Sequence, residues 1–138
     1  MQRVTILVAL AFHELKVAPD IGSAKPVHAG AAGKALLASI DPDDLAQLLE
    51  KHKFTRLAAN TVTSYAEFMR DVHKARQQGF AVSSEESVDG QSAIAAPIIV
   101  DGKVVAVVNL SAPVVRASKR ALREWTPHVL AAAKAIAS

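Results

Sequence analysis

The chain of 138 residues contains no cysteine. It can form no disulfide, use no thiolate nucleophile and offer no cysteine ligand to zinc, and this composition fits a reducing cytoplasm. Aromatic residues make up only 4% of the sequence, which leaves no stacking platform for nucleic-acid bases. The longest apolar run, Val4 to Phe12, is too short to cross a bilayer. We therefore expect a cytoplasmic protein without thiol chemistry, base stacking or a membrane partner.

A strong excess of one charge is also lacking. The sequence holds 16 basic and 13 acidic residues, a net charge of +3. These residues are scattered, so the sequence pI near 9.4 indicates a solvated surface rather than a face that binds phosphates. Hydrophobic residues make up 51% of the chain, which is enough for one domain with a single core. We therefore treat residues 1–138 as one domain.

Gly30 and Gly33 lie in the first turns of a predicted helix that runs from about Pro26 to Ser39. Each glycine costs such a helix about 1 kcal/mol relative to alanine, so something must approach the backbone closely there. One explanation is tight packing of the helix on a sheet. The other is a small anion held by the free N–H groups and the positive end of the helix dipole. The sequence of this stretch leaves both open.

Local signals predict most of the remaining elements. The run Val4 to Phe12 is apolar on both faces, as expected for a strand that is covered on both sides. Asp41 is a predicted N-cap of a short helix, Ser64 opens a longer helix through a capping box, and a closing helix begins near Ser118. In that last helix, Pro127 predicts a kink or a restart. The predicted order is β, α, α, α, β, β, β, α, which indicates an α+β domain.

The pair Asp101-Gly102 predicts a tight hairpin between the last two strands. In the register set by that turn, Ser92 lies opposite Ser111. Because directly opposed residues share a face, Ser92, Asn109 and Ser111 are predicted to gather on one face, far from the turn. A polar cluster on an otherwise apolar sheet requires water, protein partners or a ligand.

Pro97 leaves a second register open. Proline cannot donate to the strand ladder, so it implies an edge position or a bulge. A bulge would exchange Ser92 for Ala93 on the polar face. Asn109 and Ser111 stay together in either register.

Four stretches in the chain resemble motifs of a known family. They are residues 26–38 (PVHAGAAGKALLA), residues 76–86 (RQQGFAVSSEE), residues 93–98 (AIAAPI) and residues 109–113 (NLSAP). In this order they are similar to signatures of the effector-binding domain of IclR-type transcriptional regulators. The likeness covers nearly the whole chain from about Ala18.

The resemblance implies a GAF-like (PAS/profilin-like) fold, mainly an antiparallel sheet with helices packed on it. It also implies a pocket for a small organic acid or aromatic metabolite, whose carboxylate is held by backbone amides at the start of the glycine-bearing helix and by side chains of the strands. Together with the polar face of the hairpin, the predicted ligand-binding residues are Ala31, Ala32, Gly33, Ser83, Ser92, Ala93, Asn109 and Ser111.

Three of these positions depart from the family's keto-acid-binding members. Such members have an acidic residue at the position of Ser83, a cysteine at Ala93 and a serine at Asn109. A less polar pocket that contains an amide should prefer a different ligand. The identity of the effector therefore does not follow from the resemblance.

Regulators of this family carry a winged helix-turn-helix domain ahead of the effector domain, and residues 1–138 contain no such motif. We expect the chain to be a single effector-binding domain, truncated on its N-terminal side, that would reach DNA only through the missing domain. The resemblance also implies homodimers or homotetramers.

Catalytic motifs are weak in this sequence. Lys34 is followed by alanine rather than by the serine or threonine of a P-loop. Its side chain could reach solvent or attract an anionic effector, and we favour the first. The five histidines lack the spacing of metal ligands. We interpret His28 as a group before the helix that either caps it or supports the residues that bind the ligand. Glu85 and Glu86 are adjacent on a predicted strand and cannot both face one substrate.

We therefore expect no cofactor, no metal and no enzymatic activity, and we favour a ligand-sensing domain. Two alternatives stay open: a stand-alone small-molecule enzyme that uses the same pocket, and an oligomerisation module with a vestigial pocket.

Overall fold

The computed structural model describes residues 1–138 and has an α+β architecture. A three-stranded antiparallel sheet has the order β3-β4-β5, and a separate two-stranded ribbon pairs β1 with β2. The elements are β1 (Gln2–Val4), β2 (Ala24–Pro26), α1 (Ala31–Leu37), α2 (Pro42–Leu49), α3 (Tyr65–Gln78), β3 (Ala81–Ser84), β4 (Gln91–Val100), β5 (Lys103–Pro113) and α4 (Lys119–Ala137).

Helices cover both faces of the three-stranded sheet. On one face α1 and α3 meet the sheet through a cluster made entirely of alanines: Ala31, Ala32, Ala35, Ala38, Ala75, Ala81, Ala93 and Ala95. On the other face α4 packs against larger side chains, including Ile94 and Ile98. Because alanine carries only a methyl group, α1 can lie close to its face of the sheet.

The short-range signals are confirmed. Asp101 and Gly102 both have positive φ, 50° and 74°, as a tight two-residue hairpin turn requires. The side chain of Asp41 accepts a hydrogen bond from the Asp43 amide at 2.9 Å. Ser64 accepts one from the Glu67 amide at 3.2 Å, so it caps α3.

The predicted strand Val4 to Phe12 is wrong. Only Gln2–Val4 is a strand, and it pairs with β2, an element that the sequence did not reveal. Beyond it the run has no regular structure and its side chains are exposed, with Leu7 at 83% and Phe12 fully exposed. A segment of β-branched and apolar residues becomes a strand only where another strand provides N–H and C=O groups for pairing. The residues of the segment itself do not show whether such a strand is available.

The expected restart of the last helix at Pro127 is also wrong, because α4 is continuous from Lys119 to Ala137. Proline lacks the N–H that would bond the Arg123 carbonyl. In the turn before it, the Thr126 hydroxyl donates to the Leu122 carbonyl at 2.8 Å.

The hairpin register is the bulged one. The pairing of β4 with β5 shifts between Ile98 and Ile99, next to Pro97. Strand β3 pairs with β4 no further than Ala95. At Pro97 strand β4 has no β3 residue paired with it. The N–H that proline lacks therefore breaks no hydrogen bond to β3, and β4 can contain a proline although it is the central strand. The expectation that Ser92 lies opposite Ser111 is wrong. The extra residue, Val105, lies in β5 and shifts the pairing of the two strands by one residue, so that Ala93 lies opposite Ser111.

Candidate functional site

The start of α1 has an unusual backbone. Gly30 is the N-cap residue, has φ 98°, and provides no side-chain cap to the first turn. This φ is accessible to glycine and strained for other residues. The amides of Ala31, Ala32 and Gly33 belong to that first turn, where N–H groups lack partners within the helix. All three residues are buried, and Ala31 and Ala32 belong to the alanine cluster.

Gly33 is explained by packing. A Cβ at this position would overlap the carbonyl oxygen of Val27 and would lie 2.6 Å from its carbonyl carbon and 2.8 Å from its Cα. The backbone of Val27 is itself fully buried and cannot move aside cheaply. Close packing thus accounts for this glycine, while the part that the Gly33 amide plays in binding stays a prediction.

Three predicted site residues form one row across the sheet. Ser83 pairs with Ala93, and Ala93 pairs with Ser111. Because paired residues share a face, all three lie on the face that carries α1. The next row on the same face contains Asn109, whose Nδ2 donates to the Ser111 hydroxyl at 2.7 Å.

These side chains differ in exposure. Ser83 and Ala93 are buried, Ser111 is half-buried, and Asn109 is exposed. Asn109 and Ser111 thus lie on the edge strand β5, where solvent reaches them. Ser83 and the start of α1 are buried. Two hydroxyls and an amide on a floor of alanines can donate hydrogen bonds to an acid without a large side chain in the way.

Ser92 lies on the opposite face. It pairs with Ala112 in the layer packed by α4, is 1% exposed, and donates to the Ser84 hydroxyl at 3.0 Å. The structure therefore does not bring Ser92 to the other predicted site residues. The bulge beside Pro97 is the physical reason, because it exchanges Ser92 for Ala93.

The interpretation of Lys34 as a solvent-reaching cation is wrong. Its side chain is 3% exposed, and its Nζ lies 2.6 Å from Asp71 Oδ2 and 2.8 Å from Glu86 Oε1. Glu86 also accepts from the Gly30 amide at 3.3 Å. Burial raises the pKa of Glu86, and Lys34 opposes that rise. Lys34 is thus neutralised within the protein, and Glu86 braces the loop before α1.

His28 belongs to a buried aromatic cluster rather than to a helix cap. Its Nδ1 lies 2.7 Å from His52 Nε2, and its Nε2 lies 2.8 Å from the Thr55 carbonyl oxygen. Phe54 packs against both imidazole rings. The Thr55 carbonyl oxygen can only accept, so Nε2 of His28 is the donor in that contact. In the matching tautomer, Nδ1 of His28 accepts a hydrogen bond that His52 Nε2 donates.

Arg3 and Lys25 border the site and were missed by sequence reasoning. The Arg3 guanidinium donates to the Ala29 carbonyl at 3.0 Å, and the Lys25 ammonium donates to the Ser87 hydroxyl at 3.2 Å. Both residues lie on the small β1–β2 ribbon. In the sequence Arg3 is only a basic residue before an apolar run, and no local signal connects it with Lys25.

Other surface features lie elsewhere. Two depressions lie along α2, one lined by Ile40, Asp44, Gln47 and Leu48 and the other by residues that include His52 and Phe54. Neither is lined by a predicted site residue. No cluster of three His, Asp or Glu side chains could hold a metal ion. None of the four helices is both long enough and apolar enough to span a bilayer.

Comparison with known sequences gives the family. The family model described as "Bacterial transcriptional regulator IclR C-terminal" matches residues 7–138. The HTH-type transcriptional regulator KdgR of Escherichia coli is 32% identical over 127 residues, which cover 91% of this chain and 48% of that protein. BhcR of Paracoccus denitrificans is 34% identical over 114 residues, 82% of this chain and 41% of that protein. The chain spans about half the length of the curated relatives it matches.

Solved structures agree in fold. A transcriptional regulator from Rhodococcus sp. RHA1 has a TM-score of 0.84 at 30% identity, covering 96% of this chain and 58% of that one. The C-terminal domain of E. coli KdgR has a TM-score of 0.79 at 33% identity, covering 85% and 72%. The predicted α+β fold is therefore confirmed. Residues 7–138 correspond to the C-terminal domain of these regulators, and the chain belongs to the IclR family.

Proposed function

We propose that this chain is the ligand-sensing domain of a transcriptional regulator and that it binds a small carboxylic acid. The acid would lie against the start of α1 and the α1-facing side of the sheet. Backbone amides of Ala31 and Ala32 and the side chains of Ser83, Asn109 and Ser111 would donate hydrogen bonds to it. The relatives that are named as transcriptional regulators are about twice as long as this chain. A role in regulating transcription is therefore, for this chain, part of the proposal.

One observation carries the proposal: the row Ser83–Ala93–Ser111 faces the helix start that Gly30 leaves without a side-chain cap. Hydrogen bonds to a carboxylate are roughly twice as strong as those between neutral groups. Several donors lie along this face of small side chains, from Ser83 on β3 to Ser111 on β5. The arrangement contains no nucleophile paired with a general base, and the relatives are named as regulators, so binding is favoured over catalysis.

The fold is known to accept such a ligand in a distant relative. A double mutant of the PobR inducer-binding domain from Acinetobacter, with a TM-score of 0.80 at 24% identity, was solved with 3-hydroxybenzoic acid. At this identity the likeness concerns the fold alone. It supports a carboxylic acid as the first class of compound to test.

A thermal-shift series with 3-hydroxybenzoate, benzoate, pyruvate and succinate tests the proposal. A ligand at a hundred times its Kd stabilises a domain by about 2.7 kcal/mol, and we expect a concentration-dependent rise in Tm for at least one acid. For that acid, Ser111→Ala should weaken binding about tenfold, the size of a lost hydrogen bond to a charged group. Ser39→Ala, at an exposed serine that follows α1, is the matched control.

The outcomes separate the three classes of function. Unchanged affinity in Ser111→Ala would remove that residue from the site. Turnover of a bound acid would favour an enzyme. A flat response to every acid would contradict ligand sensing and favour an oligomerisation module.

We also propose that the domain forms a homodimer or homotetramer. Large apolar side chains at its surface, among them Ile6 at 74% and Val115 at 78% exposed, support association, because monomers rarely expose extended apolar patches. Sedimentation equilibrium gives the state directly, and a monomer at all concentrations would contradict the proposal.

A further inference from the structure

The β1–β2 ribbon holds two cations side by side. Arg3 and Lys25 are directly opposed across the antiparallel pair, so their side chains share a face. Neither forms an ion pair, since every salt bridge in the structure involves Lys34 or Arg120. Like charges directly opposite each other destabilise a sheet. The protein therefore maintains this pair without compensating it.

The two cations are also partly desolvated. The Nε of Arg3 is buried and has no hydrogen-bond partner. Burial lowers the pKa of Arg3, and burial together with the charge of Arg3 lowers the pKa of Lys25. Buried charges in proteins are normally paired. Because no acidic side chain pairs with Arg3 or Lys25, an anion from outside the chain would be stabilised beside them.

Both cations lie at the deep end of the candidate site. The position that a Cβ would take at Gly30 is 3.4 Å from Arg3 Nη2, 3.4 Å from Ser87 Cβ and 3.9 Å from the Ser83 hydroxyl oxygen. Ser87 in turn accepts a hydrogen bond from Lys25. Gly30 is therefore the point where the cation pair meets the Ser83 end of the row on the sheet.

The neighbouring carboxylate does not neutralise the pair. Glu86 also approaches Gly30, through the amide at 3.3 Å, but its other oxygen is bound by Lys34. Glu86 and Asp71 thus share the Lys34 ammonium, whereas Arg3 and Lys25 contact no carboxylate.

We propose that Arg3 and Lys25, together with the Ser87 hydroxyl, form an anion subsite that binds a second acidic group of the effector, so that the domain selects dicarboxylates over monocarboxylates. This proposal rests on the proposed function, because the first acidic group is the one held near Ser111. The guanidinium fork suits a carboxylate, and the lysine adds a point charge.

The spacing of the strands limits the effector. Ser83 and Ser111 lie two strands apart, a backbone separation of about 10 Å at the usual strand spacing. A hydrogen bond of about 2.8 Å at each end takes up part of this span. A diacid between succinate and adipate in length can therefore touch both ends, with its chain over the alanine floor.

Calorimetric titration with matched acids tests the proposal. Succinate is compared with butyrate and adipate with hexanoate, because the members of each pair differ by one carboxylate. We expect the diacid of at least one pair to bind about tenfold tighter than its monoacid, and Lys25→Gln and Arg3→Gln to reduce this ratio to about one. Lys134→Gln, which removes an exposed charge from α4, should leave the ratio unchanged.

Two further measurements separate binding from structure. Ser111→Ala should weaken both members of a pair equally and so keep the ratio. Lys25→Gln should raise the Tm of the ligand-free domain, because it relieves the repulsion from Arg3, whereas a purely structural lysine would lower it. Lys25→Gln decides the question if Arg3→Gln does not fold.

The failures are distinguishable. If monoacids bind and the diacids bind no more tightly, the proposed function stands and the anion subsite is refuted. If the preference for diacids survives both substitutions, other residues bind the second group and the subsite is again refuted. If no acid of either kind binds, the proposed function fails and the subsite with it.

Discussion

Replacing Gly33 by alanine isolates a single steric contact. Position 33 lies inside α1, where alanine is favoured over glycine by about 1 kcal/mol. Propensity alone therefore predicts a more stable domain. The structure predicts the opposite, since the added methyl group would overlap the carbonyl of Val27 and approach its Cα to 2.8 Å.

The expected magnitude follows from what can move. The contact atoms belong to the backbone of Val27, which is 0% exposed, so relief requires a shift of α1 against the segment before it. Overpacking of this kind costs about 1–3 kcal/mol, and more where the structure cannot adjust. Because the clash is with backbone, we expect the upper end of this range, about 3 kcal/mol, which the helix propensity of alanine reduces to a net loss of about 2 kcal/mol. Tm should fall by about 3 °C for each kcal/mol in a domain of this size.

Urea unfolding followed by circular dichroism measures the change, with Gly90→Ala as the control. Gly90 has φ 77° and nothing within 4 Å of its missing Cβ, so alanine there tests backbone strain without a clash, at about 1–2 kcal/mol. Gly33→Ala should be the more destabilised of the two. A Gly33→Ala domain as stable as the parent would show that α1 does not pack on the Val27 carbonyl as described.

Three further predictions concern charged and polar groups at Lys34, Thr61 and His52. Lys34→Met leaves the carboxylates of Asp71 and Glu86 without their cation and should cost about 3 kcal/mol in urea unfolding, part of which the added Glu86→Gln should restore. Thr61→Val removes a hydroxyl that accepts from two backbone amides and donates to the Glu86 carbonyl, and a loss of about 1–3 kcal/mol is expected; a loss below 0.5 kcal/mol or so would contradict this. Burial, a nearby α-ammonium group and a second imidazole lower the pKa of His52 below 6.5 in the folded state. The unfolded chain therefore binds more protons as the pH falls through 6.5 and stability declines, a slope that His52→Gln should flatten in urea titrations at several pH values.

Signals carried by neighbouring residues predicted the structure well. The hairpin turn at Asp101-Gly102 and the N-caps at Asp41 and Ser64 each depend on a few adjacent residues, and the structure shows each of them. The glycine-bearing helix was predicted to begin near Pro26, whereas α1 begins at Ala31. Residues 24–26 form β2 instead, because a distant strand, β1, offers them hydrogen-bond partners.

Long-range partners could not be predicted. The apolar letters of Val4 to Phe12 give no information on whether another strand is available, and the structure leaves most of them exposed. The choice between two registers depended on one bulge near Pro97, which decided that Ala93 rather than Ser92 faces α1. The residues of a turn determine the register of a hairpin only if the strand pairing beyond the turn contains no bulge.

The environment of charged side chains was the least predictable part of the site. Lys34 looks like any surface lysine in the sequence, and its burial results from Asp71 on α3 and from Glu86 after β3. Arg3 and Lys25 meet only because β1 and β2 pair in one register. Such contacts connect residues that are far apart in the chain, so no local pattern carries them.

The departures from an optimally stable design concentrate around the start of α1. Gly30 has a φ that only glycine adopts without strain, Gly33 weakens the helix, and Lys34 is a buried charge. Arg3 and Lys25 are like charges on one face, and Arg3 contains a buried donor without a partner. Sequences keep such departures from local rules mainly where packing or function requires them. Packing explains Gly33 and internal pairing explains Lys34, so among these features only the cation pair beside Gly30 lacks an acidic partner within the chain. An anion bound there would supply that partner. It should bind more tightly beside Arg3 and Lys25 than beside a cation that already has an acidic partner, because the protein leaves these two charges uncompensated.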